Sequence, residues 1–229
     1  MSKFLAESLS VTHAGNAFLL HPQRVMYWPA QRTLFAADVH AGKEHVFGRH
    51  GIAIPAGISE NTLQRLFRLA RQSDACRLII LGDFMHNVPM ASEGWLKTLS
   101  ELMDEHSQLQ VEIVAGNHDR QRGRAVVDER IVWHSSSVVV EGLALHHEPC
   151  ADTNGYVLSG HLHPAWRLGN ARRGGIRSPI FWFRKHCAVL PAFGEFTGGV
   201  IVEPDNTDDS VYMIGPDCVV PVPLKKQGR

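Results

Sequence analysis

The sequence predicts an α/β fold, and three observations carry that prediction. Short apolar runs alternate with helix-length amphipathic segments through the first half of the 229 residues. The second half holds short strand-like runs with little room for helices between them. Five of the apolar runs lead directly into carboxylate, amide or imidazole side chains, the residues that collect outside the carboxyl ends of strands in open α/β sheets. We therefore expect a mostly parallel sheet with covering helices from the first half and a more antiparallel sheet from the second.

Residues 17–20 read as a strand, and 24–28 and 33–37 as a hairpin around Pro29-Ala30-Gln31-Arg32. Residues 42–57 contain Gly42, Gly48, Gly51, Gly57 and Pro55, which suits a loop with a short helix. Ser59 suits the N-cap of a helix to about Ser73, in which Leu63, Leu66, Phe67 and Ala70 share one face. A strand at 77–81 follows, then a helix at 92–105 with Trp95, Leu99, Leu102 and Met103 inward, then a strand at 111–115. Further strands are expected at 131–133, 137–140, 143–145, 156–159, 179–183, 199–203, 211–214 and 218–222, with Phe181, Trp182 and Phe183 in the core. No repeat or linker interrupts the chain, so residues 1–229 are expected to form one domain, with a frayed tail at 225–229.

Composition is ordinary for a globular protein, 44% hydrophobic and 20% charged. Lys+Arg and Asp+Glu both number 23, so overall charge neither indicates nor excludes a nucleic-acid partner. The high number is 14 histidines, six of them at the ends of the five runs. The four cysteines are far apart, without CxxC spacing, and read as reduced, mostly packed thiols of a cytoplasmic protein. The N-terminus lacks the apolar core of a secretory signal, and no stretch reaches membrane-span length, so no membrane partner is expected.

The runs lead into Asp38-Val39-His40, Gly82-Asp83, Gly116-Asn117-His118-Asp119, His146-His147 and Gly160-His161-Leu162-His163. Two divalent metals about 3.5–4 Å apart can clamp the attacking and leaving oxygens of phosphoryl transfer and need mixed carboxylate, imidazole and amide ligands. Asp38 and His40, alternate residues at a strand end, can curl onto one ion, and Asp83 stands alone on its glycine turn as a bridging carboxylate would. Asn117 offers an amide oxygen, and His161 and His163 offer one imidazole per metal. Such N/O ligands suit Mn, Fe, Zn or Co better than Ca or Mg, and the cations would yield a hydroxide nucleophile near neutral pH.

In order and spacing these five motifs resemble the calcineurin-like metallophosphoesterases over residues 38–163. The resemblance implies an αββα sandwich, two mixed β-sheets face to face with flanking helices, and two divalent ions, Mn first. It implies Asp38, His40, Asp83 and His163 on one metal, and Asp83, Asn117, His146 and His161 on the other. His146 is preferred to its neighbour His147 because it directly follows the apolar run. His118 corresponds to the family's catalytic histidine, oriented by Asp119, and His86 is a candidate for the pocket. The stretches 38–44 and 49–55, Leu190-Pro191-Ala192-Phe193-Gly194 and Thr197-Gly198-Gly199 resemble the bacterial DNA-ligase-associated phosphoesterases. That subgroup implies DNA repair, with a DNA ligase and a helicase as functional partners.

Between Trp166 and His186 lie Arg167, Arg172, Arg173, Arg177, Arg184 and Lys185 with no acidic residue. Arg172 and Arg173, in a glycine-rich tip, are candidates to clamp a phosphate backbone beside the metals. Three functions compete: a dimetal phosphodiesterase or nuclease on DNA, a dimetal hydrolase of a nucleotide, cyclic nucleotide or phosphomonoester, and a non-catalytic scaffold for a ligase and helicase.

Overall fold

The computed structural model describes residues 3–119, 127–152, 154–169, 175–195, 197–204 and 208–224. Two sheets pack face to face. The first runs β1 (Leu9–His13), β2 (Asn16–His21), β3 (Val25–Trp28), β4 (Thr33–Ala36), β5 (Arg77–Leu81), β6 (Gln110–Val114) and β7 (Val132–His134), in that order. Strands β1 to β4 are antiparallel neighbours, whereas β4 to β7 are parallel, because helices connect β4 to β5 and β5 to β6.

The second sheet contains β8 (Ser137–Val140), β9 (Leu143–His146), β10 (Tyr156–Ser159), β11 (Pro164–Leu168), β12 (Ile176–Phe183), β13 (Cys187–Val189), β14 (Val200–Ile201), β15 (Ser210–Ile214) and β16 (Val219–Val222). Strand β10 lies parallel to both β9 and β13, and β11 forms an antiparallel hairpin with β12. The parallel pairs matter most: they bring the carboxyl ends of β4, β5 and β6 and those of β9 and β10 to one edge of the sandwich.

Period-2 alternation divides the core. Phe35, Ile79, Leu81 and Val114 face Leu143, Leu145, Leu158, Phe181 and Phe183 between the sheets. Leu34, Ala36, Leu78, Ile80 and Ile113 face the other way, onto α3 (Ile58–Gln72) and α4 (Gly94–Glu105). The expected inward residues of both helices are buried, and each buried Leu, Phe or Met side chain contributes roughly 1.5–3 kcal/mol. Among the described residues all four helices, with α1 (Lys3–Glu7) and α2 (Lys43–Arg49), precede residue 106. The outer face of the second sheet is closed by Ile180, Trp182, Val189, Val202 and Val211 without a helix.

Three expectations need correction. Gly57, at φ +81°, caps α3, and Ser59 is already inside its first turn. The Ser59 hydroxyl donates to Glu44 at 2.6 Å and accepts the Gly42 N–H at 2.7 Å, tying α2 to α3. Strands β1, β11 and β13 were not anticipated. All four cysteines are free thiols, but only Cys187 is buried.

Candidate metal centre

Asp38 and His40 follow β4, Asp83 follows β5, and Asn117 and His118 follow β6. His147 follows β9, and His161 and His163 follow β10. Backbone hydrogen bonds link these ends: Asp38 N–H to the Gly82 carbonyl at 3.1 Å, His40 N–H to Asp83 at 2.9 Å, and Gly160 N–H to His147 at 2.9 Å. Ten described non-glycine residues have positive φ, and Asp38, His40, Asp83, His161 and His163 are five of them. Each costs of order 1–3 kcal/mol and persists only because the surrounding ladder fixes it. In return, the chain curls at each strand end and turns these side chains toward one point.

Asp38 and Asp83 are buried, at 0% and 3% exposure. Asp83 Oδ1 accepts the His118 N–H at 3.0 Å. Its Oδ2 faces the Nε2 atoms of His147 at 3.5 Å and of His40 and His118 at 3.9 Å. Asp38 accepts the His161 N–H at 2.9 Å and faces His163 Nε2 at 3.5 Å. Among the described residues three potential ligand groups result, Asp38/His40/His163, Asp83/His147/His161 and the all-imidazole His40/His86/His118, each with its atoms within 4.8 Å of one another; the first two contain carboxylates. Asn117 Oδ1, 2.8 Å from His147 Nε2, extends the second group.

The imidazole tautomers test whether a cation fits. Nδ1 of His147 donates to the Leu81 carbonyl at 3.2 Å, that of His163 to Thr197 at 3.0 Å, and that of His118 to His86 at 2.8 Å. Carbonyls only accept, so when the rings are neutral each Nε2 presents a lone pair to the centre. At His147 that lone pair faces the Asn117 amide oxygen, the Asp83 carboxylate and, at 3.0 Å, Nδ1 of His161. Carboxylates, an amide oxygen and imidazole nitrogens converging on one place are the ligand types that a divalent transition metal takes, so the donor set fits one.

Electrostatics agree at His40 and His86, and oppose a neutral ring at His163. Burial, helped by the charge of Lys43 and by neighbouring imidazoles, lowers the His40 pKa to about 2, so its ring stays neutral and available as a ligand. Burial and Lys43 likewise bring His86 to about 4. At His163 burial acts in the same direction, but the hydrogen bond and charge of Asp38 outweigh it and hold the pKa above its usual value.

His146 does not join the cluster. It turns outward and bonds Asp152 at 2.7 Å, and His147 takes the expected place. Strand alternation is the reason: Leu143, Leu145 and His147 point between the sheets, while Ala144 and His146 point away. Nor does Asp119 orient His118. It is buried and accepts the N–H groups of Phe84, Met85 and Gly116 at 3.0–3.1 Å, locking the loop after β5 to the turn after β6. The His86 carbonyl orients His118 instead, and the two rings stack at 4.9 Å. His86 therefore belongs to the site wall, with its ring 5.3 Å from that of His40. Arg172 and Arg173 lie outside the described residues. Lys43 and the Thr197 carbonyl were not assigned in advance; the position of Lys43 three residues after His40 was the available signal.

The family model for calcineurin-like phosphoesterases matches residues 31–186. The chain belongs to that family. It is accordingly a metal-dependent phosphoesterase, and the matched span contains all five strand-end motifs. Among solved structures, the Pseudomonas putida nuclease MPE is 37% identical over 94% of this chain and 100% of that chain, with a TM-score of 0.79. A protein of unknown function from Aquifex aeolicus, AQ665, is 18% identical over 57% of this chain and 78% of that one, with a TM-score of 0.42. The comparison with curated proteins finds no match. Among the described residues, no helix is long and apolar enough to cross a membrane.

Proposed function

We propose that this phosphoesterase hydrolyses phosphodiester bonds in DNA with two divalent cations, Mn being the best candidate. One observation carries the dimetal reading: Asp83 stands between the two carboxylate-containing groups, its Oδ2 facing Nε2 of His147 at 3.5 Å and of His40 at 3.9 Å. Asp38, His40, Asp83 and His163 would hold one ion, and Asp83, Asn117, His147 and His161 the other. Two such cations would supply Lewis acidity toward phosphoryl oxygens and would bring the pKa of a water toward neutrality.

The chain's own residues do the rest. His118 is half-buried, and the His86 carbonyl fixes its tautomer, so its Nε2 points to the Asp83 side of the centre. Once Nε2 has also taken up a proton, it can pass that proton to the leaving oxygen or stabilise a phosphoryl oxygen. Asp119 positions this turn through three backbone N–H groups rather than by touching the reacting atoms. Lys43 adds positive charge at the rim.

The nuclease with 37% identity over nearly the whole chain supports a nucleic-acid substrate. Action as one domain in a cytoplasmic DNA-repair setting, beside a ligase and a helicase, rests on the subgroup resemblance and belongs to this proposal. The test is a screen of metal-free protein with Mn, Fe, Zn and Co against single-stranded DNA, cyclic nucleotides, phosphomonoesters and an aryl phosphodiester. DNA cleavage supported best by Mn is expected. Preference for a small phosphomonoester would overturn the substrate, and no turnover with any metal would overturn the reaction.

A further inference from the structure

Beside the metal centre lies a cavity of about 260 Å³, lined in part by His163, Arg24, Arg177, Glu195 and Thr197. We propose that Arg24 and Arg177 make it a second phosphate subsite, which seats a phosphate next to the scissile one on a polynucleotide strand. The proposal rests on the phosphodiesterase reading above.

The space has a suitable size and place. A water's share of liquid volume is about 30 Å³, so the cavity has room for a phosphate with part of its sugar. His163, one of the candidate ligands, forms part of its wall, so its occupant would neighbour a phosphate at the metals.

Charge favours an anion there. Among the described residues neither Arg24 nor Arg177 forms an ion pair. Among the described residues the Arg24 guanidinium donates to the carbonyls of Ala192 and Gly194, at 3.4 and 3.5 Å. The acid in the lining, Glu195, is engaged by Arg65 at 3.5 Å. Arg24 also holds a left-handed backbone, φ +65°, at the turn between β2 and β3. Glycine would adopt that conformation without steric cost; what arginine adds is a guanidinium at the cavity.

The β11–β12 register extends the argument outward. Arg167 pairs with Arg177, and Ala165 with Pro179, so these four share one face of the hairpin. Ala165, Arg177 and Pro179 line the cavity. Arg167 therefore stands on the cavity face, one strand step farther from His163. The result is a basic track leading away from the metals, as a strand of successive phosphates requires. Contacts of this kind bind without reading sequence.

The test uses the full chain with Mn²⁺ and three thymidine oligonucleotides: a dinucleotide with one bridging phosphate, the same with an added terminal phosphate, and a trinucleotide with two bridging phosphates. The readout is the kcat/KM ratio of trinucleotide to dinucleotide within each protein. We expect about tenfold or more in the wild type, the scale of one charge-assisted phosphate contact. The ratio should fall toward one in Arg24→Gln and in Arg177→Gln. The salt slope for binding longer single-stranded DNA should also flatten by about 0.7 for each arginine lost. Arg177 is exposed on β12, so its variant keeps the test open if Arg24→Gln folds poorly. Wild-type ratios and slopes in both variants would overturn the subsite, and so would a gain from the terminal phosphate alone, which would mark a nucleotide-end pocket. If the wild type hydrolyses an aryl phosphodiester but none of the oligonucleotides, the DNA reading itself fails. If it cleaves all three equally, only the subsite fails.

Discussion

A methyl group at Gly82 should empty half of the metal centre. A Cβ there would overlap the His147 imidazole and lie 2.7 Å from the His147 Cβ, where ordinary contact begins near 3.4 Å. Residue 82 and the ring must therefore part by at least about 0.7 Å. Metal–ligand distances tolerate about 0.2 Å, so His147 leaves the second ligand group. Gly82 also has φ +80°, which by itself costs an alanine roughly 1–2 kcal/mol. Gly142 separates the two effects: its φ is +81°, and a Cβ there meets nothing within 4 Å. Both variants would be loaded with Mn²⁺, desalted, and measured by elemental analysis and thermal melting. Gly142→Ala should keep the wild-type metal content and melt only a few degrees lower. Gly82→Ala should hold about half the metal. Full metal content in Gly82→Ala would refute the placement of His147 at the centre.

The adjacent histidines should behave oppositely: His147→Ala loses metal, whereas His146→Ala, which loses only its bond to Asp152, keeps it by the same elemental analysis. His118→Ala should retain its metals and lose about 10²–10⁴ in kcat, less with a phenolate leaving group; a variant stripped of metal would make His118 a ligand instead. Acid should uncouple Glu112, which lies under Arg77 and His134. Burial alone would raise its pKa, but the hydrogen bonds from Arg77 and His134 prevail and hold it below 4.5. A carboxylate with a depressed pKa stabilises the fold above its ordinary pKa, and that contribution disappears as pH falls through the folded value. The melting-point gap between wild type and Glu112→Gln should therefore be full at pH 7 and close below about pH 4.5; a pH-independent gap would contradict it.

Much of this architecture was legible because the site sits where apolar runs end. A buried strand must stop being apolar at the sheet edge, and five such stops carried ligand-type residues in order. Both amphipathic helices were legible from their inward stripes. What failed were inferences from adjacency. His146 is nearest the run, but the period of two, continued from Leu143 and Leu145, selects His147. Asp119 is next to His118 in sequence, yet at a turn consecutive side chains diverge, and Asp119 serves three N–H groups of its own surroundings. Strand β11 begins at Pro164 and carries Arg167, and β13 is only three residues long; both owe their conformation to neighbours rather than to local pattern. Arg24 drew no attention because its role depends on a cavity closed by residues far along the chain.

Titration of metal-free protein with Mn²⁺, followed by electron paramagnetic resonance and by turnover of an aryl phosphodiester, tests the shared Asp83 carboxylate most directly. The account predicts two ions per chain with an exchange-coupled signal, turnover that rises as the second ion binds, and loss of the coupling in Asp83→Ala. Two magnetically isolated ions, or full turnover with a single ion, would contradict it.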